Sequence, residues 1–359
     1  MTEREYRALE IDSYSTLKDF LEDRKKYYKK YILKEPVKEE ESPYLVFGNV
    51  VDCLQFTPSL FEEKFAVAVT QVPTGQYGKF VDEMVKITFS CLSERGEVTM
   101  HIEDIITEAY NRCKFDRNGN VVDFKRDSLE VATQKFLGTE LEMYYRQRRE
   151  AFGKTIIEAS MLENAQRVVA ELMSNDVTKY IMTLETDRDT VAVYNQFPII
   201  GKMDGAMIGG SDFPLKCLID KLVIDHKLRS IYIYDLKTAW DNEGEFLHNY
   251  FKYKYYIQMA VYFYLVVEWK LSQPEIADYQ VHYPSFIVAD SSNYKNPLIY
   301  ATTQENFHQG MRGFTIRGKY YPGVIKAVQD LIWHEETGIW SISKDNHTAG
   351  GIVRIQPFQ

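Results

Sequence analysis

Between Lys216 and Trp240 the chain reads K-C-L-I-D-K-L-V-I-D, a short polar turn, then I-Y-I-Y-D-L-K-T-A-W. The first half is almost continuously β-branched or apolar. The second alternates Ile231, Tyr232, Ile233 and Tyr234 before meeting Asp235. Both halves therefore read as strands, and His226 to Ser230 is polar enough to be the loop of a hairpin. Pairing symmetric about that loop brings Asp220 close to opposite Asp235, and cross-strand neighbours of this kind lie roughly 5 Å apart at Cβ. Two carboxylates so placed can share one hard divalent cation. Lys237 follows Asp235 by two positions and leaves from the same strand face. Two acids and a lysine on one face of a buried sheet are costly unless a metal or substrate compensates them. The pattern reads as functional.

Asp220 followed by Asp235-Leu236-Lys237 resembles the core signature of PD-(D/E)XK nucleases, and D-L-K-T is the form common in their RecB-like and RecE-like branches. Flanking segments extend the match. Gln258 and Tyr262, i, i+4 neighbours on a helix, resemble the Q-x-x-x-Y motif that follows the catalytic strands in those branches; Gln258 comes 21 residues after Lys237. Residues 11–34 open with a serine cap signal at Ser13 or Ser15 and continue as a helix with Leu17, Phe20, Leu21, Tyr28, Tyr31 and Ile32 on one face. That segment resembles the first helix of the same nucleases. Lys25, Lys26, Lys29 and Lys30 make its other face, plainly a solvated one, or more sharply a phosphate contact. Residues 44–67 read as helix, Pro-marked turn and a strand beginning near Phe65, and carry F-G-N-V-V-D-C-L where RecE-like relatives have F-G-x-x-x-H-x-L. Asp52 stands where the metal-reaching histidine would be, which suggests a carboxylate ligand suited to Mg²⁺ or a weakened third ligand. Strands at Tyr279–Ala289 and Leu298–Thr302, a helix near Gly323–Glu336 and Trp340 complete a resemblance covering about 11–70 and 190–340. Asp204, in G-K-M-D, is the competing spelling of the first acid; the direct hairpin ranks Asp220 ahead of it.

The resemblance implies an α/β fold with a PD-(D/E)XK (restriction endonuclease-like) core, a mixed central sheet flanked by helices, and a helical insertion. It implies Mg²⁺ as cofactor, with Mn²⁺ substituting. Asp220 and Asp235 would be metal ligands, with the Leu236 carbonyl and Asp52 beside them. Lys237 would orient the attacking water, and Gln258 and Tyr262 would position the lysine, the scissile phosphate or a base. The implied activity is a 5′→3′ exonuclease that resects duplex DNA for a single-strand annealing partner in a phage or prophage recombination system. Ring-shaped homo-oligomers occur among such enzymes. Two other readings stand beside it: a RecB-type nuclease module serving a helicase, and a catalytically silent DNA-binding or assembly protein.

With 359 residues and 45% hydrophobic composition the chain can fill one elaborated domain or two. The expected division is 1–72 for N-terminal helices of the core, 73–176 for the helical insertion, and 177–359 for the catalytic sheet and the helices after it. Within the insertion, helices are expected at Gly78–Leu92, Ile102–Cys113, Asp127–Gly138, Glu140–Gly153 and about Thr155–Ser174, with a turn at Asp116–Asn120. Arg146, Arg148 and Arg149 form its densest basic cluster, either a DNA or subunit contact or, more plainly, a solvated helix end. Four scattered cysteines without a C-x-x-C pair, no apolar run of membrane-spanning length and an acidic start suggest a reduced, cytoplasmic protein of a bacterial or phage-infected cell, with no membrane partner. Net charge is −9, so any DNA path must be a local basic groove.

Overall fold

The computed structural model describes residues 1, 3–35, 42–68, 72–92, 98–115, 119–151, 153–187, 189–292 and 294–353. The acidic stretch Glu39–Glu41 and Asp116–Asn118 of the expected turn lie outside the described residues. Two compact units emerge: residues 1–57 together with 167–359, and Pro58–Gln166.

The first unit is built on a seven-stranded mixed sheet flanked by helices. Its strands are β1 (Asp12–Ser13), β2 (Val191–Met203), β3 (Phe213–Asp225), β4 (Ser230–Ala239), β5 (Gln280–Val281), β6 (Ser285–Asp290) and β7 (Leu298–Ala301). β2 runs antiparallel along the whole of β3. The other edge of β3 is shared, by β4 over Lys221–Asp225 and by β1 over Leu215–Lys216. β4 then pairs in parallel with β6. The sheet therefore forks where β3 and β4 part company.

The hairpin has the register that symmetry about its loop requires: Ile224 faces Ile231 and Leu222 faces Ile233. These rows are buried in the core. The helices that place the site are α1 (Tyr14–Glu22), α2 (Pro43–Phe56), α3 (Tyr255–Leu271), α4 (Gln304–Arg312) and α5 (Val324–Thr337). α3 is buried continuously from Tyr256 to Tyr262 and again at Leu265 and Val266, the signature of a helix covered on all sides. α4 crosses it so closely that a Cβ at Gly310 would lie 2.3 Å from the Tyr256 carbonyl oxygen and 2.7 Å from Ala260 Cβ. Only glycine allows that approach.

The first helix departs from its expected course. Ser13 caps α1 in a capping box with Thr16, and the helix ends at Asp23, whose backbone is extended. The break resets the helical phase, so Leu17, Phe20 and Tyr27 are buried while Ile32 is exposed. Tyr27 and Tyr28 stack on Trp340, at 6.0 and 4.8 Å between centroids. Ahead of β1, the buried Lys216 donates to the carbonyls of Tyr6 (2.9 Å) and Leu9 (2.6 Å), tying the helix Glu3–Ala8 to β3.

The second unit holds helices at Gly75–Ser90, Ile102–Lys114, Leu129–Phe136 and Glu140–Glu150 around a core that includes Phe80, Met84, Ile105, Phe124, Phe136 and Tyr145. Thr155–Ile157, expected to open a helix, is a strand parallel to Phe65–Val67, and the helix begins at Ala159. β-branched residues favour that outcome. The pairing ties both flanks to the helices, so the compact unit takes 58–166 where the sequence suggested 73–176. No helix among the described residues is long and apolar enough to cross a membrane.

Candidate active site

The two apolar rows of the hairpin are followed, on the same face, by a row of acids. The β3–β4 ladder ends at Lys221–Tyr234, and continuing its register sets Asp220 against Asp235. At that point the Leu236 N–H donates to Asp220 Oδ2 (2.8 Å) instead of to a backbone carbonyl of β3. The carboxylate thus ends the ladder and opens the fork.

A kink helps to aim it. Core-facing apolar residues of β3 are Phe213, Leu215, Cys217 and Ile219, then Leu222 and Ile224. Odd positions give way to even ones across Asp220 and Lys221. The neighbouring β2 shifts from Ala192 to Phe197 and Ile199, across Gln196, whose φ of 50° is left-handed. Asn195 pairs with Lys221 and Phe197 with Ile219, so Gln196 falls opposite Asp220, and its Nε2 donates to Asp220 Oδ1 at 3.2 Å.

Asp235, 2% exposed, receives Gln258 Nε2 on Oδ1 (2.7 Å) and forms an ion pair with Lys237 through Oδ2. The same Gln258 Nε2 donates to the Tyr262 hydroxyl at 2.9 Å, while its buried Oε1 accepts no hydrogen bond among the described residues. Lys237 Nζ also lies over the Tyr255 ring, 5.0 Å from its centroid. Tyr255 belongs to an aromatic group with Tyr14, Tyr253, Phe246 and Phe286. Asp52 reaches this neighbourhood from α2, which passes β4 closely enough for a Cβ at Gly48 to lie 3.5 Å from Thr238 Oγ1.

Electrostatics link the four charged groups. Burial, then the charge of Asp235, raises the Asp220 carboxyl to about 7, against the pull of Lys237 and the Leu236 and Gln196 hydrogen bonds. Asp52 is pushed up by burial and then by Asp220, with Lys237 opposing. Burial raises Asp235 too, opposed by Lys237. Burial would strip Lys237 of its proton, but Asp235, Tyr255 and Asp220 outweigh that effect and hold the ammonium firmly. Tyr262 is raised by burial and by the two acids.

No family model and no curated protein matches the chain. A solved structure similar to it, from Eubacterium rectale, is of a protein provisionally named an exonuclease. It is 13% identical, with 100% of this chain and 96% of that chain covered, at a TM-score of 0.43. A likeness of that size leaves the chemistry of the site to its own residues.

The residues singled out in the sequence come together in one place: Asp220, Asp235, Lys237, Gln258 and Tyr262 by direct contact or register, and Asp52 through its electrostatic reach. Asp204 lies elsewhere. It is exposed and caps the short helix Gly205–Ile208, accepting from the Ala206 N–H at 2.8 Å. Two of the clustered arginines are already paired, Arg146 with Glu142 and Arg148 with Asp82. Lys30 is likewise paired with Asp19.

Ionised, Asp52, Asp220 and Asp235 carry three charges against one from Lys237, and an acceptor of Gln258 has no donor among the described residues. That donor set fits a hard divalent cation. Among the described residues, however, no three His, Cys, Asp or Glu side chains converge to hold a metal by themselves. The fit is to Mg²⁺ held by one or two carboxylates and completed by water and substrate oxygens, the usual habit of that ion. Asp52 as a third ligand is not assembled as the groups stand. Gln196 and Tyr255 were not singled out from the sequence; the one available signal was the polar Asn195-Gln196 pair interrupting an apolar strand opposite Asp220.

Proposed function

We propose that this protein is a Mg²⁺-dependent deoxyribonuclease, an exonuclease that hydrolyses phosphodiester bonds at the Asp220–Asp235–Lys237 cluster. The observation that carries the reading is the row of carboxylates, Asp235 buried and Asp220 half-buried, with the Lys237 ammonium beside it. Such a row is unfavourable alone and gains its compensation from a divalent cation, which in turn can meet a phosphate. The D-L-K-T and Q-x-x-x-Y strings add the resemblance to RecE-like and RecB-like nucleases. On that resemblance rest the finer terms: 5′→3′ resection of linear duplex DNA, Mn²⁺ as a substitute ion, a single-strand annealing partner and a homo-oligomeric assembly.

Asp220 and Asp235 would hold the cation, which when bound neutralises charge on the phosphate and lowers the pKa of water. Lys237 keeps its proton, so it acts as a donor: it orients the water and meets negative charge developing on the phosphate oxygens. Gln258 fixes Asp235 and Tyr262 at once, which keeps the acid in one rotamer. The Tyr255 ring lies against the lysine ammonium.

Linear duplex DNA labelled at either end, incubated with Mg²⁺, Mn²⁺ or EDTA, tests the reading. Cleavage is expected with either ion and none with EDTA, with label released first from the 5′ end. Asp235→Ala and Lys237→Ala should each lower the rate by at least about 100-fold, the scale of losing one transition-state partner. Their circular dichroism should match the parent. Near-normal cleavage by either folded variant would end the assignment.

A further inference from the structure

Asp220 is gripped from both of its neighbouring strands, and only one grip belongs to the hairpin. The Leu236 N–H holds Oδ2 at 2.8 Å, while Gln196 holds Oδ1 at 3.2 Å. Gln196 does so from a backbone conformation that a glutamine seldom adopts, φ 50° in the interior of a long strand. A non-glycine residue kept in that region marks a place where surrounding structure overrides local preference, and such places cluster at functional sites. Here the unusual residue lies opposite the acid, at the point where both β2 and β3 change which positions face the core. A regular β2 would carry the even and odd positions on unchanged, and the amide would have no reason to meet Asp220.

We infer that Gln196 is a positioning residue: its amide fixes the rotamer of Asp220, leaving the remaining lone pairs of that carboxylate free to meet a divalent cation. The inference rests on the nuclease reading, since it concerns the same acid. The backbone kink and the side-chain amide make separable contributions. The kink brings the residue opposite Asp220; the amide holds the carboxylate.

Substitution distinguishes them. Gln196→Gly removes the amide and suits the left-handed backbone, whereas Gln196→Ala removes the amide and keeps the backbone cost. Binding of Mg²⁺ alone to the full chain is measured by calorimetry, with melting temperature and cleavage alongside, for the parent, both variants and Asp220→Asn. The expected result is that both Gln196 variants bind Mg²⁺ about tenfold more weakly than the parent, the worth of one hydrogen bond to a charged acceptor. Gln196→Gly should melt above Gln196→Ala, and raising Mg²⁺ should restore much of the cleavage lost by either. Parent-like Mg²⁺ affinity in Gln196→Gly, with binding lost in Asp220→Asn, overturns the inference and leaves the nuclease reading intact. Weak binding in Gln196→Ala that Gln196→Gly restores overturns it too, because the kink alone would then suffice. A parent that binds no Mg²⁺ and cuts nothing in any ion removes the nuclease reading, and this inference falls with it.

Discussion

Asp220 and Asp204 each follow an apolar run, and their surroundings set them apart. Asp220 is held from two neighbouring strands and raised by burial and by Asp235. Asp204 spends its carboxylate on a helix cap in solvent. Asp220→Asn should therefore lose at least about 100-fold of Mg²⁺-dependent cleavage, whereas Asp204→Asn keeps most of it; the opposite ranking in the same assay would show that the acid row has been misassigned. Asp52 stands between these cases, close enough for Asp220 and Asp235 to raise it but not drawn into a three-ligand cage. Asp52→Ala should shift the Mg²⁺ needed for half-maximal cleavage upward by roughly tenfold, the range for residues that support a metal site, and Asp52→His should move preference toward Mn²⁺. A metal titration that superimposes on the parent's would place Asp52 outside the site's chemistry. Asp235, Lys237, Gln258 and Tyr262 could be grouped in advance because they lie in short strings, D-L-K-T and Q-x-x-x-Y, whose spacing fixes a shared face, and Asp220 because hairpin symmetry sets it opposite Asp235. Gln196 could not. Its role depends on a left-handed backbone angle and a neighbour on another strand, and neither is written in the residues beside it.

At the level of elements, the break at Asp23 decides how α1 and α5 meet the tail. It turns Tyr27 inward, where Tyr27 and His334 both stack on Trp340, with Phe20 edge-on to the imidazole. His334 is 1% exposed, and its Nδ1–H donates to the Ile339 carbonyl. Burial first, and Arg24 and Lys326 after it, hold the imidazole below its ordinary value of 6.5, against the Ile339 carbonyl and Asp330. A base depressed in the folded state is neutral in both states above that value. As pH falls through 6.5 the unfolded chain takes up a proton that the folded one refuses, so stability is lost on the acid side. The raised carboxyls of Asp220, Asp52 and Asp235 pull the other way, so the histidine shows as a difference: between pH 7.5 and pH 5 the parent's melting temperature should fall relative to that of His334→Gln, and parallel profiles would assign the acid sensitivity to other groups. The helix was legible from its apolar period, but Tyr27's place was not. One extended residue at Asp23 rotates everything after it, and an aspartate within a charged run gives little sign of doing so.

Across the whole molecule, the hairpin sheet and the helical unit differ in how local their contacts are. Residues 58–166 carry their own core, from Phe80 to Tyr145, and a pair of strands that closes the two ends of the segment on each other. That is 109 residues (166 − 58 + 1), a length at which a single core can sustain a fold. Expressed alone, 58–166 should give a cooperative thermal transition by circular dichroism; a gradual, featureless loss of helix signal would mean that the segment has no independent fold. Its helices were readable from amphipathic spacing. Its edges were not, since Phe65–Val67 and Thr155–Ile157 identify each other only by pairing across most of the unit.

The tie between Lys216 and the Tyr6 carbonyl spans 210 positions of the chain, and β1 joins β3 over a similar separation. On a ribosome adding about 5–20 residues each second, some 10–40 s pass between the emergence of the two partners. Through that interval the first segment of the chain has no strand to join, and the fork of the sheet cannot close. Gln258 emerges later still. The acid row is therefore completed only after α3 has emerged, and a nascent chain stalled before it would carry the D-L-K-T strand without the glutamine that holds Asp235.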